Sequence, residues 1–201
     1  EEKNLRSLLA RQTPVIRSNY LSRLLRGQMD VDTSEKGGQS LRFMDIEFVS
    51  DYFSVIVVQL DSIAGFNAEQ SEEQWALARF IVSNIGTDMI PSPHKSFAVE
   101  LDRDRVAFLN NFDPGLSGEA GRVIAEMCES LKTVIEQRFK MDITVAAGLP
   151  HSGAKSIGES YAEAVAAFEY RIIRGGARSS ISRTSKTCMP TIITRSTSRC
   201  S

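Results

Sequence analysis

The sequence predicts an α/β (α+β) domain in which helices pack on one mixed sheet, and three observations carry that prediction. The β-branched run Phe53, Val55, Ile56, Val57, Val58 and Leu60 has the length and composition of a central strand buried on both faces. Two stretches, Leu77 to Ile85 and Val123 to Phe139, place apolar residues at helical spacing instead. Between them, two short strand-like segments flank Asp102-Arg103-Asp104, a hairpin with a charged turn. The order strand, helix, hairpin, helix, strand, helix builds one layered unit.

Glu1 to Gly27 carries Leu5, Leu8, Leu9, Ile16, Leu21, Leu24 and Leu25 on one helical face, with an interruption expected at Pro14 and a C-cap at Gly27. Such a leucine stripe fits either a solvated surface helix or a coiled linker that continues upstream. Asp30 to Gly38 reads as a polar connection, followed by a short helix through Leu41 and Met44. The first strand ends at Asp61. Ser71-Glu-Glu-Gln74 is a capping-box pattern for a helix striped by Leu77, Phe80, Ile81 and Ile85 and stopped by Gly86. Hairpin strands follow at Ser96 to Leu101 and Val106 to Asn110, then a loop at Asp113-Pro114-Gly115. The next helix carries Val123, Ile124, Met127, Leu131, Val134, Ile135 and Phe139, and Ile143 to Leu149 forms the last strand. Ser156 is placed to cap a final helix with Ile157, Tyr161, Ala164, Val165, Phe168 and Ile172, closing at Gly175-Gly176. The chain thus divides into a helical linker (1–50), an α/β domain (51–177) and a tail (178–201).

A length of 201 residues suits one domain with appendages, and 42% hydrophobic with 24% charged residues excludes wholesale disorder and a disulfide scaffold. No apolar run approaches the ~20 residues of a membrane span. With no charged-then-apolar leader, the expectation is a cytoplasmic segment without direct membrane contact, whose parent protein is free to be anchored elsewhere. Cys128, Cys188 and Cys200 make neither a metal-ligand spacing nor a disulfide framework, which fits a reducing compartment. The tail holds five basic residues, Arg178, Arg183, Lys186, Arg195 and Arg199, and no acid. They leave 19 basic against 25 acidic residues in the body, a net charge of −6 that gives no general attraction to a phosphate backbone. Apart from Thr191-Ile-Ile-Thr194 the tail has no period, and it reads as a disordered arm or as the product of a shifted reading frame.

Several segments resemble a known family when taken in order. The strand ending Val57-Val-Gln-Leu-Asp61, the hairpin Leu101 to Leu109, and Val145-Ala-Ala-Gly148 followed by Ser160 to Tyr170 resemble the GGDEF fold of diguanylate cyclases in degenerate form. Asn19 to Gly27, the Asp-Arg-Asp-Arg hairpin and Ser160-Tyr-Ala-Glu-Ala resemble, more narrowly, the central region of AraC-type transcriptional regulators. The resemblance implies a palm-like, ferredoxin-like sheet and, in the full protein, a sensor upstream and a helix-turn-helix downstream.

In active family members the strand-terminal Asp and an acidic pair in the hairpin support metal and phosphate chemistry. Here the corresponding positions are Asp61, then Asp102, Arg103, Asp104 and Arg105. Arg105 stands where the signature Glu would be and brings positive charge where a divalent cation needs oxygen ligands. The expectation is therefore no catalytic residue, no metal and no cofactor. Asp61, Arg103, Asp104 and Arg105 are the candidates for holding a guanine nucleotide or another anion without turnover. His94 and His151 stand alone in loops and read as surface residues, and Trp75 reads as partly buried core. The expected role is regulatory transmission. Leu5, Leu8, Leu9, Leu21 and Leu24 are the candidate interface of the N-terminal helix, including a homodimer formed through it, and DNA is contacted only through a domain outside this chain.

Overall fold

The computed structural model describes residues 2–32, 34–63, 71–153, 155–173 and 193–194, with side chains described for those from 13 to 169 except Ser117. Helices α1 (Glu2–Leu25) and α2 (Glu35–Phe43) precede strand β1 (Tyr52–Ile63). Then come α3 (Glu72–Met89), β2 (Lys95–Asp102), β3 (Arg105–Asn111), a 3-10 turn at Pro114–Glu119, α4 (Ala120–Phe139), β4 (Met141–Ala147), β5 (His151–Ser152), α5 (Ser156–Ile173) and β6 (Ile193–Thr194). The α+β class is as expected. The sheet differs in one respect: its order is β2-β3-β1-β4-β6, and every pairing is antiparallel. The strands β1 and β2 run the same way, but the hairpin folds β3 back between them, so no parallel contact forms.

Alternation along the strands sends their side chains into two cores. Ile56, Val58 and Leu60 of β1, Val106 and Phe108 of β3, and Ile143 and Val145 of β4 pack beneath α3 and α4. Phe53, Val55 and Val57, with Ala107 and Leu109, pack on the opposite face with Leu21, Leu24 and Leu25 of α1 and Ile157, Ala164 and Phe168 of α5. Each fully buried leucine or isoleucine contributes about 1.5–3 kcal/mol.

Several local expectations are corrected. Helix α1 runs through Pro14, whose exposed ring removes one backbone hydrogen bond without ending the helix. Its stop at Gly27 is as expected: φ is +64°, Gly27 N–H donates to the Leu24 carbonyl and Gln28 N–H to that of Arg23. Helix α2 starts at Glu35 because the Ser34 hydroxyl accepts the Gly37 N–H, and Gly37 belongs to the helix rather than to the preceding connection. Helix α3 passes Gly86 without stopping. A Cβ there would lie 2.2 Å from Cζ of Phe108, so the glycine marks where helix and sheet approach most closely. That approach also turns the expected stripe: Ala78, Val82 and Gly86 face the sheet, whereas Leu77 and Phe80 are 55% and 64% exposed.

The segment after Asp113 is a 3-10 turn rather than a loop. Strand β4 begins earlier than expected, after Lys140 turns the chain at φ 53°. Ser156 is the first residue of α5 and donates to the Gly153 carbonyl instead of capping. In the tail, Ile193 and Thr194 pair with Ala146 and Val145 at the sheet edge, so those two residues are not the disordered arm expected there. The rest of the tail and Gly175-Gly176 lie outside the described residues. Among the described residues no helix is long and apolar enough to cross a membrane.

The interface expectation changes most. Leu21 and Leu24 are 0% and 1% exposed and lie in the second core, so they are intramolecular contacts unavailable to a second copy. Leu5, Leu8 and Leu9 fall on helix α1, but their side chains lie outside the described residues.

Candidate functional site

The β2–β3 turn stands beside the C-terminal half of β1. Leu60 N–H donates to the Asp104 carbonyl at 2.8 Å, and Gln59 is the register partner of Arg105. Arg105 is the first residue of β3 and in phase with Ala107 and Leu109, which face α5, whereas Arg103 belongs to the two-residue turn and is free of the strand alternation. Arg103 goes to the α3 side. Its Nε lies 3.1 Å from Oε2 of Glu72, its guanidinium is 5.5 Å from the centre of the Trp75 ring, and its carbonyl accepts from Nη1 of Arg79 at 2.6 Å. Arg105 goes to the α5 side, 6.0 Å from the Phe168 ring centre, with Nη2 donating to Oε1 of Gln59 at 3.4 Å. Its buried Nε finds no acceptor among the described residues.

The four residues expected to hold an anion therefore do not converge. Arg103 is committed to Glu72 and Trp75, and Asp61 accepts from the Thr144 hydroxyl at 2.5 Å, toward β4. Asp104 contributes its carbonyl to β1. A divalent cation, which the resemblance implies for active relatives, does not fit this donor set, because Arg105 and Gln59 fill the facing positions on the two strands. Among the described residues no three His, Cys, Asp or Glu side chains cluster so as to hold a metal ion.

Sequence reasoning missed the clasp that fixes the turn. Arg79, with a side chain 11% exposed, bonds Glu100 at 2.9 Å, Glu72 at 3.1 Å and the Arg103 carbonyl, tying α3 to β2 and to the turn of the hairpin. Its partners are 7, 21 and 24 positions away, so no local spacing announces it. Arg79→Ala is expected to lower stability by about 1–2 kcal/mol. In urea unfolding the loss should shrink as salt is raised, because Glu72 and Glu100 are largely exposed.

The histidines are structural. His94 is 6% exposed, contrary to the surface expectation; Nδ1 accepts the Asp113 N–H at 3.0 Å and the ring packs on Phe112, anchoring the turn after β3. His151 Nε2 meets Oε1 of Glu163 at 2.9 Å while Glu163 Oε2 accepts the Leu149 N–H, which ties β5 to α5. Trp75 is partly buried, as expected. Burial, helped by Glu129, pushes the Cys128 thiol up to about 12 and leaves it unreactive.

Near the end of α4, Glu136 has its pKa raised chiefly by burial, reinforced by the charges of Asp142, Asp61 and Glu129 and opposed by Lys132, 3.9 Å away. The folded protein holds this proton more tightly than the unfolded chain. Stability from this group therefore falls as pH rises from the ordinary carboxylate pKa through the raised one. Glu136→Gln is expected to raise the melting temperature at neutral pH, with the gain vanishing in acid near the ordinary carboxylate pKa, as scanning calorimetry would record.

Residues 43–170 match the family model described as the GGDEF-like domain. No curated protein and no solved structure matches the chain. The match begins at the end of α2 and runs almost to the end of α5, taking in the central strand β1, the hairpin and the whole first core, whereas the α1 leucines of the second core precede it. The chain belongs to the GGDEF-like domain family.

Proposed function

We propose that this chain is a non-catalytic relay of a bacterial transcription regulator of the AraC type, set between an upstream sensor and a DNA-binding domain outside this sequence. The observation that carries the reading is Arg105 against Gln59, a guanidinium and an amide facing one another where metal-dependent phosphoryl chemistry requires carboxylate oxygens. The GGDEF-like fold is of the signalling-domain kind, and the AraC-like segments Asn19 to Gly27 and Ser160 to Ala164 support the narrower assignment. Leu21, Leu24 and Leu25 join α1 to the sheet, so displacement of that helix is felt in the second core.

A second reading, an anion-binding module without turnover, draws on the unpartnered buried Nε of Arg105. Incubation with GTP and Mg²⁺ followed by chromatography is expected to yield no cyclic product, and product above the protein-free control would overturn the relay reading. Calorimetric titration with the same nucleotide separates the two readings. Saturable heat that disappears in Arg105→Ala favours the binding module, and its absence favours the relay.

A further inference from the structure

We infer that the cleft between α1 and α2 is a binding site for a small aromatic carboxylate. The cleft has a volume of about 790 Å³, is lined wholly by residues between Ile16 and Met44, and shares none with the β2–β3 turn. Volumes of ~300–1,000 Å³ are typical of small-molecule sites. It is a built space. Gly37 lets α2 lie directly on the preceding loop, since a Cβ there would come 2.3 Å from the Asp32 carbonyl oxygen. Ser34 caps α2 beside it and accepts the Gly37 N–H.

The lining divides by chemistry. Ile16 and Phe43 are 43% and 51% exposed, and with Met29 and Met44 they offer one ring, two thioethers and a branched aliphatic side chain. Thioether and ring surfaces favour a flat aromatic body. Tyr20 adds a half-buried phenol, whose pKa burial raises. The rim carries two cations, Arg23 and Lys36, and neither forms an ion pair among the described residues. Asp32, the acid among the lining residues, has its carboxyl held below the usual range by the Ser34 hydroxyl and by the Ser34 N–H, which donates to Oδ1 at 2.9 Å. An apolar bed with an excess of one positive charge at its rim selects a ring bearing a single negative charge, and a guanidinium takes a carboxylate as a bidentate partner.

This inference stands whether or not the relay reading holds, because it uses no residue of the hairpin. The test is a titration of the whole chain, labelled at its methionine methyls, with 2-naphthoate, followed by NMR. The methyls of Met29 and Met44 should shift saturably, while those of Met89 and Met127, which lie under the other face of the sheet, should not. The uncharged 2-naphthalenemethanol should bind at least tenfold more weakly, and Arg23→Glu with Lys36→Glu should weaken naphthoate by a similar factor. Both rim substitutions are at exposed positions, so the fold is retained. Equal affinity for the alcohol, an unchanged double variant, or no shift at either methionine would overturn the inference. So would shifts that follow protein concentration alone, which would make the cleft a contact between copies of this chain.

Discussion

Gly148→Ala is expected to cost about 3 kcal/mol or more, lowering the melting temperature by roughly 6–12 °C for a domain of this size. A Cβ on Gly148 would sit 1.9 Å from the carbonyl oxygen of Ser160 and 2.6 Å from its carbonyl carbon, both backbone atoms of α5 that no rotamer change can move aside. The junction is tight because three bonds draw it together. Gly148 N–H donates to the Val55 carbonyl at 2.9 Å, the Ser54 hydroxyl to the Gly148 carbonyl at 2.9 Å, and the Val55 N–H to the Ser160 hydroxyl at 2.8 Å. An added methyl must either push α5 off the sheet and break the Val55–Ser160 bond, or pull Gly148 off β1 and break the other two. Gly121→Ala is the control. It lies in α4 with nothing within 4 Å of its Cβ position, so the same change should be neutral or stabilising by up to about 1 kcal/mol. Equal midpoints for the two variants in urea unfolding would refute the close-approach account.

The second large effect is expected at Leu21. Leu21→Ala should cost about 2–5 kcal/mol. Leu21→Asp should cost more, because a carboxylate at 0% exposure among Phe53, Val55 and Phe97 has no partner to offset its desolvation. Helix α1 is then expected to leave the sheet, and tryptic cleavage after Arg17 and Arg23 should appear well below the global unfolding transition. In a full-length regulator the same variant should lose the response to signal while retaining DNA binding in vitro. A Leu21→Asp protein that unfolds at the wild-type midpoint and resists trypsin would show that α1 is not part of the cooperative unit.

The legible parts of this fold are those where one chemical preference dominates. The run from Phe53 to Leu60 reads as a doubly buried strand because both of its neighbours and both faces are apolar, and Ser71 with Gln74 reads as a cap because the reciprocal bonds are local. The α3 stripe departs from the sequence pattern because apolarity is a poor guide where helix and sheet approach closely. There, size decides, and Ala78, Val82 and Gly86 displace Leu77 and Phe80 from the interface. The inward burial of Leu21 and Leu24 was equally invisible, since a leucine stripe does not say whether its partner is the same chain or another.

At the turn, sequence found the loss of carboxylate at Arg105 but grouped Arg103 with it. Arg105 follows the alternation of β3, but Arg103 lies in the turn outside it, and its destination depends on Glu72 and Trp75, some thirty positions upstream. Gln59 had no signal of its own and gains meaning only from standing opposite Arg105.

The central place of β1 has a further consequence for synthesis. Its two neighbours, β3 and β4, arrive late: Val57 pairs with Ala107 and Ala146, so one long apolar edge stays bare until the hairpin emerges and the other until α4 has been made. A nascent chain halted before Met141 exposes unpaired backbone on the most hydrophobic strand of the domain, the form most prone to join a neighbouring chain. Truncations ending before Met141 should therefore be the ones that depend on chaperones in the cell.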